Sequence, residues 1–380
     1  MAVTADVVAV GGGVIGTAIA WRAAAAGLDV ILVDPQRDDG ASLVAAGMLA
    51  PVSESIFGEE ALLRLNLLAV RRFPTFAAEL EERTGRPIGL RQEGTLAVAY
   101  DPGDHAALLR LTEFRRSVGL DAAELDSRAI RKLEPFLTPE VRGGALFTGD
   151  WSVDNRRYLA ALRQAAQDAG VRTVPGQVTR ISGEPVTGVD LADGAAISCP
   201  AVVVAAGWGS AGIAGLPGRL ADVVRPVKGQ LLRLRLPAVM PPVLSHTVRA
   251  TVRGIDVYLV PRADGELVVG ATQEERGPDR TVTAGAVHDL LRDALSVLPV
   301  LSELVLAETC AGLRPGTLDN GPLAGPAGGG LLLATGHYRN GILLSAVTAD
   351  AAVAWLTGQP PAAEWAPFAP SRFTTPVRTA

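Results

Sequence analysis

Continuous apolar runs and small-residue helical stretches fill both ends of the chain, whereas part of its middle alternates apolar and polar positions in steps of two. Residues 7–10 (VVAV) form an unbroken apolar run, the pattern of a parallel strand buried on both faces. An Ala- and Ile-rich stretch to Ala26 predicts a helix that Gly27 ends, and DVILVD predicts a second buried strand closing on Asp34. AVVVAAGWGS (201–210) repeats the buried-strand pattern and opens into a glycine turn, as does LLLATGHYRNG, which leads into a long small-residue helix from near Gly341. Between them, LLRLRL (231–236) puts Leu232, Leu234 and Leu236 on one face and Arg233 and Arg235 on the other, which predicts an antiparallel strand with one wet face. VYLVPRADGELVVGAT (257–272) predicts a hairpin, and Val287, Leu290, Leu291, Ala294, Leu295 and Leu298 recur at helical spacing. Shorter segments predict a helix over 59–85 with a kink or break at Pro74, a strand over 94–100, helices over 105–119 and 158–169, and a strand over 171–174.

This order of elements predicts an α/β protein with an α+β insertion: a Rossmann-like nucleotide-binding domain assembled from 1–84, 145–226 and 310–370, a discontinuous antiparallel-sheet substrate domain from 85–144 and 227–309, and a C-terminal tail over 371–380. The length of 380 residues accommodates both. A net charge of −5 gives no reason to expect nucleic acid or an anionic membrane as partner. The two cysteines, Cys199 and Cys310, fit neither a disulfide framework nor zinc spacing and read as buried small hydrophobes, so no metal is expected. The N-terminus lacks a basic leader, and no segment reaches about 18 uninterrupted apolar residues. The expectation is a soluble, cytoplasmic chain without a membrane span.

The most specific chemistry lies in the first 34 residues. Gly11, Gly13 and Gly16 fit G-x-G-x-x-G between a strand and a helix. Gly11 permits the tight turn, Gly13 lets backbone approach a pyrophosphate, and Gly16 allows close packing of helix on strand. The helix N-terminus offers unpaired N–H groups to phosphate. Asp34, eighteen residues after Gly16, can accept from both hydroxyls of an adenosine ribose and would repel a 2′-phosphate, which leaves NAD and FAD. The small-residue segment 40–51 (GASLVAAGMLAP) either lets backbone approach a flat ring or is a plain surface loop. Arg314, alone in the turn-rich CAGLRPGTLDNGPLAG, is either a solvated loop charge or a cation held for an anion.

VAVGGGVIGTAIA, AAGML, RPVKGQLL, YLVPRADGELVVGAT, AGLRPGT and GHYRNGILL together resemble the D-amino-acid-oxidase-type FAD-dependent oxidoreductases, and within them the glycine oxidases of thiamine biosynthesis. The resemblance spans nearly the whole chain. It implies FAD held by Gly11, Gly13, Val14, Ile15, Gly16, Asp34 and Pro35 around the ADP half, with Val178 at the adenine. Ala41, Ser42, Ala46, Gly47 and Met48 would line the flavin, with Gly207 and the turn His337, Tyr338, Arg339, Asn340, Gly341, Ile342 and Leu343. GHYRNG has no cysteine, which favours noncovalent binding.

The same resemblance implies that Arg314 binds a substrate carboxylate, that Tyr258 hydrogen-bonds it and that Arg339 lies on the substrate side. Where close relatives can carry histidine this chain has Asp256, which either holds a substrate ammonium or faces water. The implied reaction is oxidation of glycine, sarcosine or a small D-amino acid by dioxygen, giving imino acid or glyoxylate, ammonia and hydrogen peroxide. A homotetramer and a thiazole synthase as product acceptor are implied as well. Alternatives are a D-amino-acid dehydrogenase, a sarcosine-type secondary-amine oxidase or, on the glycine motif alone, a non-enzymatic dinucleotide-binding sensor. Tyr258 can equally be a half-buried strand tyrosine, and His337 a plain loop residue.

Overall fold

A computed structural model of the chain describes residues 3–216 and 220–373. Its N-terminal apolar run becomes the strand Val7–Val10, in the middle of a six-stranded sheet ordered Leu323–Gly328, Leu331–Thr335, Ala201–Val204, Val7–Val10, Val30–Asp34 and Arg172–Pro175. All neighbours are parallel except the first pair. Helices Val14–Ala25 and Gly341–Leu356 pack against one another beside this sheet. Both are apolar and buried over most of their surface, which is why their sequences are rich in small residues.

The second large sheet has eight strands, in the order Val305–Gly316, Arg225–Arg235, Glu266–Gly270, Ile255–Pro261, Thr247–Val252, Thr95–Ala99, Gly143–Phe147 and Ala123–Asp126. Every pairing is antiparallel except Thr247–Val252 with Thr95–Ala99. Helix Ala284–Val297 lies against it and buries Leu290, Ala294 and Val297 in its core.

The structure corrects several expectations. The boundaries expected at 144/145, 226/227 and 309/310 fall inside the strands Gly143–Phe147, Arg225–Arg235 and Val305–Gly316, because the ladder of the large sheet continues past each composition change. Arg314 therefore stands on a strand, not in a loop. Helix Glu60–Thr84 runs uninterrupted through Pro74. Burial of Leu65, Phe73, Phe76 and Leu80 along its inner face outweighs the roughly 3 kcal/mol a helical proline costs. Arg233 does not face water: it is 1% exposed, ion-paired to Glu266 and hydrogen-bonded to Asn155 Oδ1 at 3.3 Å. Cys199 is buried but Cys310 is only partly so. Of the expected tail, residues 371–373 close a 3₁₀ turn in which Arg372 pairs with Asp319 at 2.8 Å, and 374–380 lie outside the described residues.

Candidate active site

A cavity of about 410 Å³ opens between the two large sheets. At the nucleotide sheet, Gly11 turns the chain at φ +106°, and a Cβ there would lie 2.6 Å from the Ala205 carbonyl oxygen. Gly16 sits so close to the Gly11 carbonyl that any side chain would collide with it. The helix that follows has no side-chain cap on its first turn from Gly13; the Val14 N–H donates to Ser42 Oγ at 3.0 Å. Gly11, Gly13, Val14, Ile15, Asp34 and Pro35 line the cavity. So do Ala41, Ser42, Ala46, Gly47, Met48, Val178 and Gly207, and from the last turn His337, Tyr338, Arg339, Gly341 and Ile342. Gly16, Asn340 and Leu343 do not; Gly16 is helix–strand packing, Asn340 precedes the helix and Leu343 belongs to the core.

The segment 40–51 is built, not loose. Ala41–Val44 is one helical turn, and Met48–Leu49 pairs with Trp151–Ser152. Asn155 Nδ2 donates to the carbonyls of Ser42 (2.8 Å) and Leu43 (3.0 Å). Arg262 donates to the carbonyls of Ala46 and Val153, and burial pushes its guanidinium down to about 10. Asn155 carries no sequence signal, whereas Arg262 stands inside the YLVPR motif.

From the large sheet, Tyr258 and Arg314 reach the same cavity. Burial pushes the Tyr258 phenol above its ordinary range, while the Arg314 guanidinium beside it pulls the other way. Arg314 Nη1 donates to the Thr272 carbonyl at 3.2 Å and reaches that of Lys228 at 3.5 Å. Both side chains lie across glycines. A Cβ on Gly229 would stand 2.5 Å from Arg314 Cζ, and one on Gly270 would stand 2.5 Å from Tyr258 Cζ. The sheet thus leaves two gaps that a guanidinium and a phenol fill. Asp256 is not with them. It is exposed, accepts from Thr251 Oγ1 at 2.8 Å and lines a smaller cavity of about 90 Å³ on the other side of Tyr258.

Glu54 is the carboxylate that sequence reasoning missed. It lines the main cavity with its side chain 10% exposed and accepts from Arg249 Nη1 at 2.7 Å; Arg339 Nε lies 4.0 Å away. Burial alone would raise its carboxyl, but Arg249 and Arg339 outweigh that and hold it below the ordinary value. Arg339 also stacks over Tyr338 at 5.1 Å.

His337 is buried, and burial pushes its imidazole down to about 3. Thr348 Oγ1 donates to the Leu344 carbonyl at 2.7 Å, so it accepts at 3.0 Å from an Nε2–H of neutral His337. The unfolded histidine takes up a proton near its usual 6.5 while the folded one stays neutral, so this group removes stability as pH falls from about 6.5 toward 3. Between pH 7 and pH 5 the expected loss is about 2 kcal/mol. His337→Gln keeps a donor for Thr348 and should flatten that part of the pH dependence in urea unfolding of the FAD-saturated protein.

A family model described as FAD dependent oxidoreductase matches residues 6–355. The chain belongs to that family. It is similar to a glycine oxidase of Geobacillus kaustophilus (strain HTA426), 35% identical over 97% of each chain. It is also similar to a bifunctional protein ThiO/ThiG of Synechocystis sp. (strain ATCC 27184 / PCC 6803 / Kazusa), 34% identical over 99% of this chain, which spans 55% of that protein's length. The crystal structure of glycine oxidase from Geobacillus kaustophilus superimposes with a TM-score of 0.88 at 33% identity, covering 97% of this chain and 99% of that one. This oxidoreductase is thus an FAD-dependent enzyme of amino-acid oxidation. The cavity suits such a cofactor: a glycine turn that tolerates no Cβ, an acid closing the next strand, and two helix N-termini whose own N-cap residues, Gly13 and Asn340, make no side-chain cap. Among the described residues no helix is long and apolar enough to cross a membrane.

Proposed function

We propose that this oxidoreductase deaminates glycine and other small α-amino acids, with sarcosine and small D-amino acids within reach. The observation that carries the reading is the Arg314–Tyr258 pair, set into glycine gaps of the large sheet and facing the cavity that the nucleotide turn also lines. Arg314 binds the substrate carboxylate with its planar fork, and Tyr258 adds one hydrogen bond to it. Both fix the Cα–H and the neutral amine in place. FAD, bound noncovalently, would supply the acceptor for the Cα hydride and the route of its two electrons to dioxygen. The amine loses one proton as its lone pair forms the C=N bond; with glycine, water then hydrolyses any imine not passed on, giving glyoxylate and ammonia, and dioxygen leaves as hydrogen peroxide. The residues touching the substrate bind and orient it, and none has to act as a strong base.

The ThiO/ThiG relative supports a role in supplying the imine to a thiazole synthase. Anaerobic mixing with glycine, sarcosine, D-alanine and D-proline tests the reading: at least one should bleach the yellow flavin band, and air should then yield peroxide. A flavin that none of the four reduces would end it. A reduced flavin that turns over only with a quinone would instead make the chain a dehydrogenase.

Gly229→Ala offers a narrower test. The three atoms nearest the added methyl all belong to the Arg314 guanidinium, the far end of a flexible side chain, so the arginine is displaced while the fold survives. KM for glycine should rise about tenfold or more, the equivalent of ~1.4 kcal/mol, with FAD content unchanged. An unaltered KM would separate Arg314 from substrate binding.

A further inference from the structure

We infer that Glu54 is a specificity-determining residue that restricts the cavity to amines carrying one carboxylate and turns away substrates with a second anionic group. The inference rests on the proposed reading of Arg314 as the carboxylate anchor. Three guanidinium groups converge here: Arg314 and Arg339 face the main cavity, and Arg249 lies beside Tyr258, its direct cross-strand partner. Among the described residues, Glu54 is the only carboxylate facing the main cavity at this end. It takes a hydrogen bond from Arg249 and stands against Arg339, for which no other carboxylate among the described residues lies within 4.0 Å. Arg314, by contrast, has no carboxylate within 4.0 Å among the described residues; it donates to the Thr272 and Lys228 carbonyls and lies against the Tyr258 phenol.

One guanidinium is therefore left for an incoming anion, and one carboxylate satisfies it. A second carboxylate would have to approach an ionised Glu54 whose side chain is only 10% exposed, where water screens the repulsion poorly. No step of the proposed reaction uses Glu54, so its burial beside the substrate has its effect on selection. Arg249 keeps Asp256 and Asp150 as further counter-charges, so Arg339 is the cation that loss of Glu54 would release.

Acetate and malonate, a monocarboxylate and a dicarboxylate that cannot be oxidised here, separate the possibilities when titrated against the holoenzyme and followed by the flavin absorbance change. The wild-type protein should bind malonate no more tightly than acetate. Glu54→Gln should shift that preference at least about tenfold toward malonate, and should raise kcat/KM for D-aspartate relative to D-alanine by a similar factor. Glu54→Asp, which keeps the charge, should discriminate as the wild type does. A wild-type preference for malonate overturns the inference even if Glu54→Gln does not fold, as does a Glu54→Gln protein with wild-type preference. Failure of the underlying reading looks different: acetate would not bind at all, and Arg314→Ala would leave turnover intact.

Discussion

Arg314→Ala is expected to lower kcat/KM for glycine by roughly 30- to 5,000-fold, corresponding to about 2–5 kcal/mol for breaking a buried charge pair. The loss comes from the bound state. Without the guanidinium the substrate carboxylate enters a cavity walled by apolar strands and the ionised Glu54, and the Thr272 carbonyl loses its donor. Arg314→Lys should recover only part of the activity, since a single ammonium replaces a fork that binds both carboxylate oxygens. FAD content should stay at the wild-type level in both variants, because the nucleotide turn is on the other sheet. Wild-type kcat/KM in Arg314→Ala would remove this residue from the site and with it the proposed substrate class.

Gly11→Ala should abolish stable FAD retention. The position is held at φ +106°, which alone costs an L-residue on the order of 1–3 kcal/mol, and the methyl group would also meet the Ala205 carbonyl at 2.6 Å and Ala206 Cα at 2.8 Å. The turn has to open, and the strand Ala201–Val204 or the helix from Val14 has to move with it. Since about 1.4 kcal/mol is a factor of ten in affinity, even partial relief predicts flavin loss on gel filtration. Gly285→Ala, where nothing lies within 4 Å of the added methyl, is the control. A flavin-to-protein ratio equal to wild type in Gly11→Ala would show that the turn is not what holds the cofactor.

Local pattern carried far in this chain where one element decides its own environment. The strand, turn and helix of the first 34 residues, the hairpin around Ala263–Asp264–Gly265 and the helix Ala284–Val297 all follow from period and turn chemistry. Position was lost wherever the partner is distant in sequence. The segment around Arg314 reads as turns because of Gly312 and Gly316, yet those glycines are strand residues whose missing side chains make room for Val44 and Val227. Arg233 obeys the alternation that suggested a wet face, but there the face meets the segment around Leu43, and Arg235 at the strand end is the arginine that reaches solvent. Glu54 follows no motif at all. Its meaning depends on Arg249, 195 residues away, and on Arg339 in the final turn.

The order of strands in the six-stranded sheet has a consequence for how the enzyme is made. Val7–Val10 is synthesised long before its neighbour Ala201–Val204, which is itself flanked by the still later Leu331–Thr335. The cavity wall likewise joins Gly11 to His337 and Ile342. A nascent chain therefore holds its glycine turn ready without a pocket to complete it, so cofactor capture has to wait until the segment through Ile342 has been made and folded.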